Sequence, residues 1–85
     1  MSDQTLQRAM EVKRRHEQDL LRKANVVAVG VGYASRAGQR TPDVAIVVSV
    51  RQKVPPAELR PDDLIPAWIE DIPVDVIETG AIRAL

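Results

Sequence analysis

Two Val-rich segments constrain this chain more than any other feature: Val26 to Ala34 (VVAVGVGYA) and Val44 to Lys53 (VAIVVSVRQK). In an extended strand, successive side chains point to opposite faces, so each segment sorts into two sides. In the first, Val27, Val29, Val31 and Tyr33 form a bulky side. Val26, Ala28, Gly30, Gly32 and Ala34 form a side that shrinks along the strand. In the second, Val44, Ile46, Val48 and Val50 lie opposite Ala45, Val47, Ser49 and Arg51. Between them Ser35 to Asp43 (SRAGQRTPD) is polar and carries Gly38 and Pro42. Two such strands across a Gly-containing connection predict an antiparallel hairpin.

The hairpin needs a cover, and the 85 residues leave few choices. A chain of this size is one domain with a stability of about 4–12 kcal/mol at the usual per-residue scale. There is no Phe, and Trp68 and Tyr33 are the only aromatic residues, so the core is built from aliphatic side chains. Ahead of the strands, Ser2 or Asp3 caps a predicted helix running to about Lys23 or Ala24. Leu6, Met10, Lys13, Glu17, Leu20 and Ala24 fall on one stripe of it, with Ala9 and Leu21 beside. Glu11–Arg15 and Asp19–Lys23 have the spacing of supporting ion pairs.

After the hairpin, Pro55, Pro56, Pro61 and Pro66 punctuate the chain, so PAEL makes at most one helical turn. Leu64-Ile65 is expected as a short edge strand. Pro73 to Thr79 (PVDVIET) is a further main strand, with Val74 and Val76 inward and Asp75 outward. The tail Gly80 to Leu85 is apolar. These elements predict a single small α+β domain: a long N-terminal helix (1–24), then a mainly antiparallel sheet of three to four strands (26–79).

Gly30-Val31-Gly32 invites comparison with a dinucleotide-binding loop. That chemistry needs a third glycine and a helix whose N-terminus meets the pyrophosphate. Here Ser35 stands at the third position and a second strand follows. The glycines are better read as a place where something approaches the backbone closely. The candidates are the chain's own first helix, which is the leading one, a partner's helix, another sheet, or a bulge that adds twist.

Composition bears on the remaining function classes. Acids and bases balance, twelve against twelve, so no net field draws nucleic acid or an anionic membrane. Near-zero net charge also removes a defence against self-association. Cysteine is missing, and with it disulfides, thiolate nucleophiles and sulfur metal sites. No secretory leader or membrane-spanning run is evident, which makes a cytoplasmic location the expectation. His16 is the sole histidine; with Ser2, Ser35 and Ser49 outside any nucleophile-elbow sequence, it reads as a solvent-facing helix residue. Asp62, Asp63, Glu70, Asp71 and Asp75 lack the spacing of a calcium loop and read as solvated acids. Arg8, Lys13, Arg14, Arg15, Arg22 and Lys23 make the helix locally basic, but Glu11, Glu17 and Asp19 interrupt the patch. Nucleic-acid binding through that helix is therefore ranked low. Trp68 reads first as a plug for the open end of the core and second as an interface anchor.

The order of segments resembles the small N-terminal module of bacterial trypsin-like serine proteases related to the plant narrow-leaf-type proteases. Val29 to Gly32, Ala45 to Val50, Lys53 to Pro56, Ile65 to Ile69 and Pro73 to Gly80 carry it. That module commonly has Asp-Gly before its last strand, where this chain has Glu70-Asp71, a less favoured turn. The resemblance contains no catalytic residue and implies an accessory role, such as packing on a protease domain. The expectation is a non-enzymatic interaction or assembly module with no cofactor, metal or small-molecule substrate. Its partner is a second copy or a protease-type protein. Gly30, Gly32, Trp68, Ile82 and Leu85 are the candidate interaction surface.

Overall fold

The computed structural model describes residues 3–79. Helix α1 (Asp3–Leu21) is followed by strands β1 (Val26–Arg36) and β2 (Gln39–Val50), two single turns at Pro56–Glu58 and Pro61–Asp63, and strands β3 (Trp68–Ile69) and β4 (Ile72–Glu78). The expected α+β architecture, a long helix and then a four-stranded sheet, is what forms. Its strand order is β1-β2-β4-β3.

The hairpin is tighter than its polar connection suggests. Arg36 pairs with Gln39, so only Ala37 and Gly38 turn the chain, with φ of 52° and 79°. Two left-handed residues in succession match the right-handed twist of the flanking strands. Cross-strand pairing thus recruits most of the segment read as loop. Pro42 is accommodated because the register jumps from Tyr33↔Val44 to Ser35↔Arg40, leaving an irregularity there instead of a regular ladder.

The β1–β2 and β3–β4 pairs are antiparallel, but β2 and β4 run parallel, from Ile46↔Val74 to Val50↔Glu78. A parallel pair needs a long crossover, here residues 51–71, and no α-helix fills it. Hydrogen bonds hold it in place. Lys23 Nζ donates to the Asp62 carbonyl at 2.7 Å, and the Ala24 amide donates to Asp63 Oδ1 at 2.9 Å. Asn25, at φ 77°, uses its amide group in both directions: Nδ2 donates to the Gln52 carbonyl and Oδ1 accepts from the Gln52 amide. The expected edge strand at Leu64-Ile65 does not form; Trp68–Ile69 takes that role, because Glu70-Asp71 supplies the turn into β4.

Ile46 and Val48 are wholly buried and, with Val44 and Val50, form the centre of the core. On β1 the packed residues are Val26, Val29 and Val31. A register shift between Val26 and Ala28 moves Val26, rather than Val27, to the core side. The covering face of α1 also differs from the expected stripe. Ala9, Val12 and Leu20 are buried, while Leu6 and Met10 remain 44% and 48% exposed. Val12 sits three residues from Ala9 and eight from Leu20, so these three define a stripe turned away from Leu6 and Met10.

Candidate interaction surface

Helix α1 covers β1 and β2 on the Val/Ile side of the sheet, not on the small-residue side. This overturns the leading explanation of the glycines. A side chain at Gly30 would meet nothing within 4 Å; at Gly32 it would meet Val47 Cγ2 at 3.3 Å. Among the described residues, then, nothing packs at the Cβ position of half-buried Gly30, whereas Gly32 lies snugly beside a cross-strand valine. Toward the hairpin tip the outer face is partly closed. The Ser35 amide donates to Asp75 Oδ2 at 2.9 Å, joining β1 to β4 on that side of the intervening strand, and Ala45 is fully buried.

The sequence-derived candidates do not converge. Gly30 and Gly32 lie on β1 at one edge of the sheet; Trp68 lies on β3 at the other. Trp68 is 61% exposed and does not plug the core, because the neighbouring Ile69 takes the inward position of this two-residue strand. An open groove of about 590 Å³ runs past it, lined by Arg8, Arg36, Pro42, Asp43 and Asp71 among others. Its charged groups already pair within the chain, Arg8 with Asp71 at 3.0 Å and Arg36 with Asp43 at 3.6 Å. A smaller apolar recess of about 210 Å³, between Val50, Leu59, Ile65 and Val76, falls below the roughly 300–1,000 Å³ of ligand sites. Ile82 and Leu85 lie outside the described residues.

The helix is fixed by a charged clasp that the sequence did not reveal. Arg15 donates from Nε and Nη2 to Glu70 Oε2 at 3.1 and 2.9 Å, and Nη2 lies 2.9 Å from Oε1. His16 Nε2 lies 3.1 Å from Glu70 Oε2, so the histidine is a half-buried partner and not a free surface residue. Arg8 donates to Asp71 Oδ1 at 3.2 and 3.0 Å and to Glu70 Oε1 at 3.3 Å. Hydrogen bonds from Arg15 and then His16 hold the Glu70 carboxyl below the ordinary carboxylate range. The Arg8 hydrogen bond does the same for Asp71, and Asp71 in turn raises Arg8. All three shifts favour the charged forms. A general acid or base at neutral pH needs the reverse balance, a proton held near its point of exchange.

The clasp also orients the helix. Arg8 and Arg15 point toward the β3–β4 turn, on the side of β4. At 100° per residue, Leu6, Met10 and Leu21 then point to the opposite flank, above the outer edge of β1. All three are exposed, and Lys13 and Glu17 between them form an ion pair at 3.2 Å. Beneath this flank β1 has a partner on one side only among the described strands. From Val26 to Ser35 it carries neither charge nor proline. Edge strands in soluble proteins are usually blunted by such residues. An Ala9, Val12, His16, Leu20 reading of the helix period would have exposed this flank in advance. The edge position of β1 has no signal in sequence, because it depends on which strand β4 joins.

No protein-family model matches the chain, and no curated protein matches it. No helix among the described residues is long and apolar enough to cross a membrane.

Proposed function

We propose that the chain is a cytoplasmic, non-enzymatic interaction or assembly module that works through the open side of its sheet. The observation that supports this reading is the edge of β1, ten uncharged residues with one side of their backbone unpaired by any described strand. An unpaired strand edge is a template for another chain, and main-chain hydrogen bonds supply the affinity in such pairings. On the adjoining outer face no described residue packs at the Cβ position of Gly30, which leaves room beside the same strand.

Light scattering on a size-exclusion column, run across a range of protein concentrations, tests the self-association half of this reading. A mass above that of one chain at high concentration is the expected result; a strict monomer removes that half. The order of segments, which resembles that of the N-terminal modules of trypsin-like proteases, supports a second occupant, a protease domain supplied by another polypeptide. For that partner, co-elution with a trypsin-like protease encoded beside this chain, or a changed peptidase rate, is the expected result. A chain that is monomeric and leaves the protease unaffected sinks the proposal.

A further inference from the structure

We infer that the occupant of the β1 edge is a second copy of this chain, joined across a two-fold axis that pairs β1 with β1 and sets α1 beside α1. The inference rests on the assembly reading above and names its partner.

The edge is built for a self-complementary pairing. Register shifts between Val26 and Ala28 and between Tyr33 and Ser35 bracket a regular stretch, Ala28 to Tyr33, centred on Gly30 and Val31. Two antiparallel copies of a strand are related by a two-fold perpendicular to the sheet, which keeps each face on its own side. Opposed residues must then share a face, so the axis passes at Gly30 or at Val31, inside the regular stretch. Four strands per copy become one continuous sheet of eight.

The helices fit the same axis. α1 lies over β1 and β2, and strands are about 4.8 Å apart, so two helices centred between those strands stand about 10 Å from each other across the axis. That is the ordinary separation of packed helices. Their heights agree as well. Leu20 is buried in the core, six residues before β1 begins at Val26. Met10 lies ten residues back along the helix, about 15 Å, and Gly30 lies four to five residues up the strand, also about 15 Å. Met10 therefore stands next to the axis, facing the partner's Met10, with Leu6 one turn away on the same flank. The charges sharing that stripe, Lys13 and Glu17, neutralise one another. About Met10 the two helices overlap over residues 3–17, roughly 22 Å, and with a depth of about 20–25 Å this presents on the order of 500 Å² per copy, at the lower end of specific interfaces. An interface at this end of the range makes a weak dimer, so association is read at high protein concentration.

The test uses the full chain and its lack of cysteine. The wild-type protein should approach twice the monomer mass in light scattering at about 100 µM, and Met10→Glu should weaken association by about tenfold or more. Met10→Lys should do the same, and mixing the two variants should restore the dimer. Under mild oxidation Met10→Cys should form a covalent dimer, while Gln18→Cys should not. Ala28→Lys, which places a charge on the edge, should also favour the monomer, with circular dichroism confirming that each variant is folded. A wild type that stays monomeric overturns both this inference and self-assembly. Self-association that all these variants leave intact, without cross-linking at Met10→Cys, overturns the β1 dimer alone and points to the outer face around Gly30.

Discussion

The two faces of the sheet are built from the same strands and have opposite fates. On one, Val44, Ile46, Val48 and Val50 meet α1 and are buried. On the other, the intervening residues are smaller, and at Gly30 no described atom comes near. A sheet needs one buried apolar face to be stable, and this chain meets that need with aliphatic side chains alone. The second face is only partly filled: Ala45 is buried there, but no described atom packs at Gly30.

The contrast can be broken most strongly at its packed centre. Ile46→Ala removes buried volume where the side chain is completely enclosed. A loss of about 3–4 kcal/mol is expected from the transfer and cavity contributions together. Chemical denaturation should show it, and a loss below about 1 kcal/mol would mean that this face is not the core. On the opposite face, Gly32→Val should destabilise by about 1–2 kcal/mol, because the added Cβ meets Val47 Cγ2 at 3.3 Å before its methyl groups are counted.

Acidification separates the core from the clasp that orients its cover. Glu70 and Asp71 are held below their ordinary values in the folded chain. Each therefore contributes stability that is present above the unfolded value of about 4 and is lost as pH falls through the lower, folded one. Since both carboxyls are exposed, the effect is small. Melting temperatures for wild type and Glu70→Gln should differ slightly at pH 6 and converge as the pH falls below the ordinary carboxylate range. A gap that widens in acid would contradict the assignment. The smallest change is expected at Gly30→Val, within about 0.5 kcal/mol of neutral, since valine suits a strand and has room there. If that variant melts normally when dilute yet loses association when concentrated, the outer face is in use.

The alternation in VVAVGVGYA and VAIVVSVRQK was enough to read the hairpin, and Pro73 to Thr79 was legible as a strand. The errors have local causes. Val26 replaced Val27 on the core side because a single irregularity inverts the alternation beyond it. The sequence pattern places Leu6 and Met10 on the covered stripe because both are large and apolar. The choice of face is made instead by Ala9 and Val12, and by Arg8 and Arg15 reaching Glu70 and Asp71 more than fifty residues away. Trp68 failed for a related reason: size favours burial, but its place on a two-residue strand faces outward. The candidate surface was half legible. Gly30 announced the bare face, whereas the open edge depends on β4 pairing with β2, a contact that no neighbouring residues encode.

That parallel contact sets the order of events during synthesis. β2 sits in the middle of the finished sheet, yet its second neighbour begins only at Ile72, some twenty residues after β2 ends. At about 5–20 residues per second, the hairpin exists for one to several seconds with both of its edges bare. During that interval the helix, already made, is the only described element able to shield Ile46 and Val48. A lesion in α1 that the mature protein tolerates would then be felt by the nascent chain, as aggregation rather than as a lowered melting temperature.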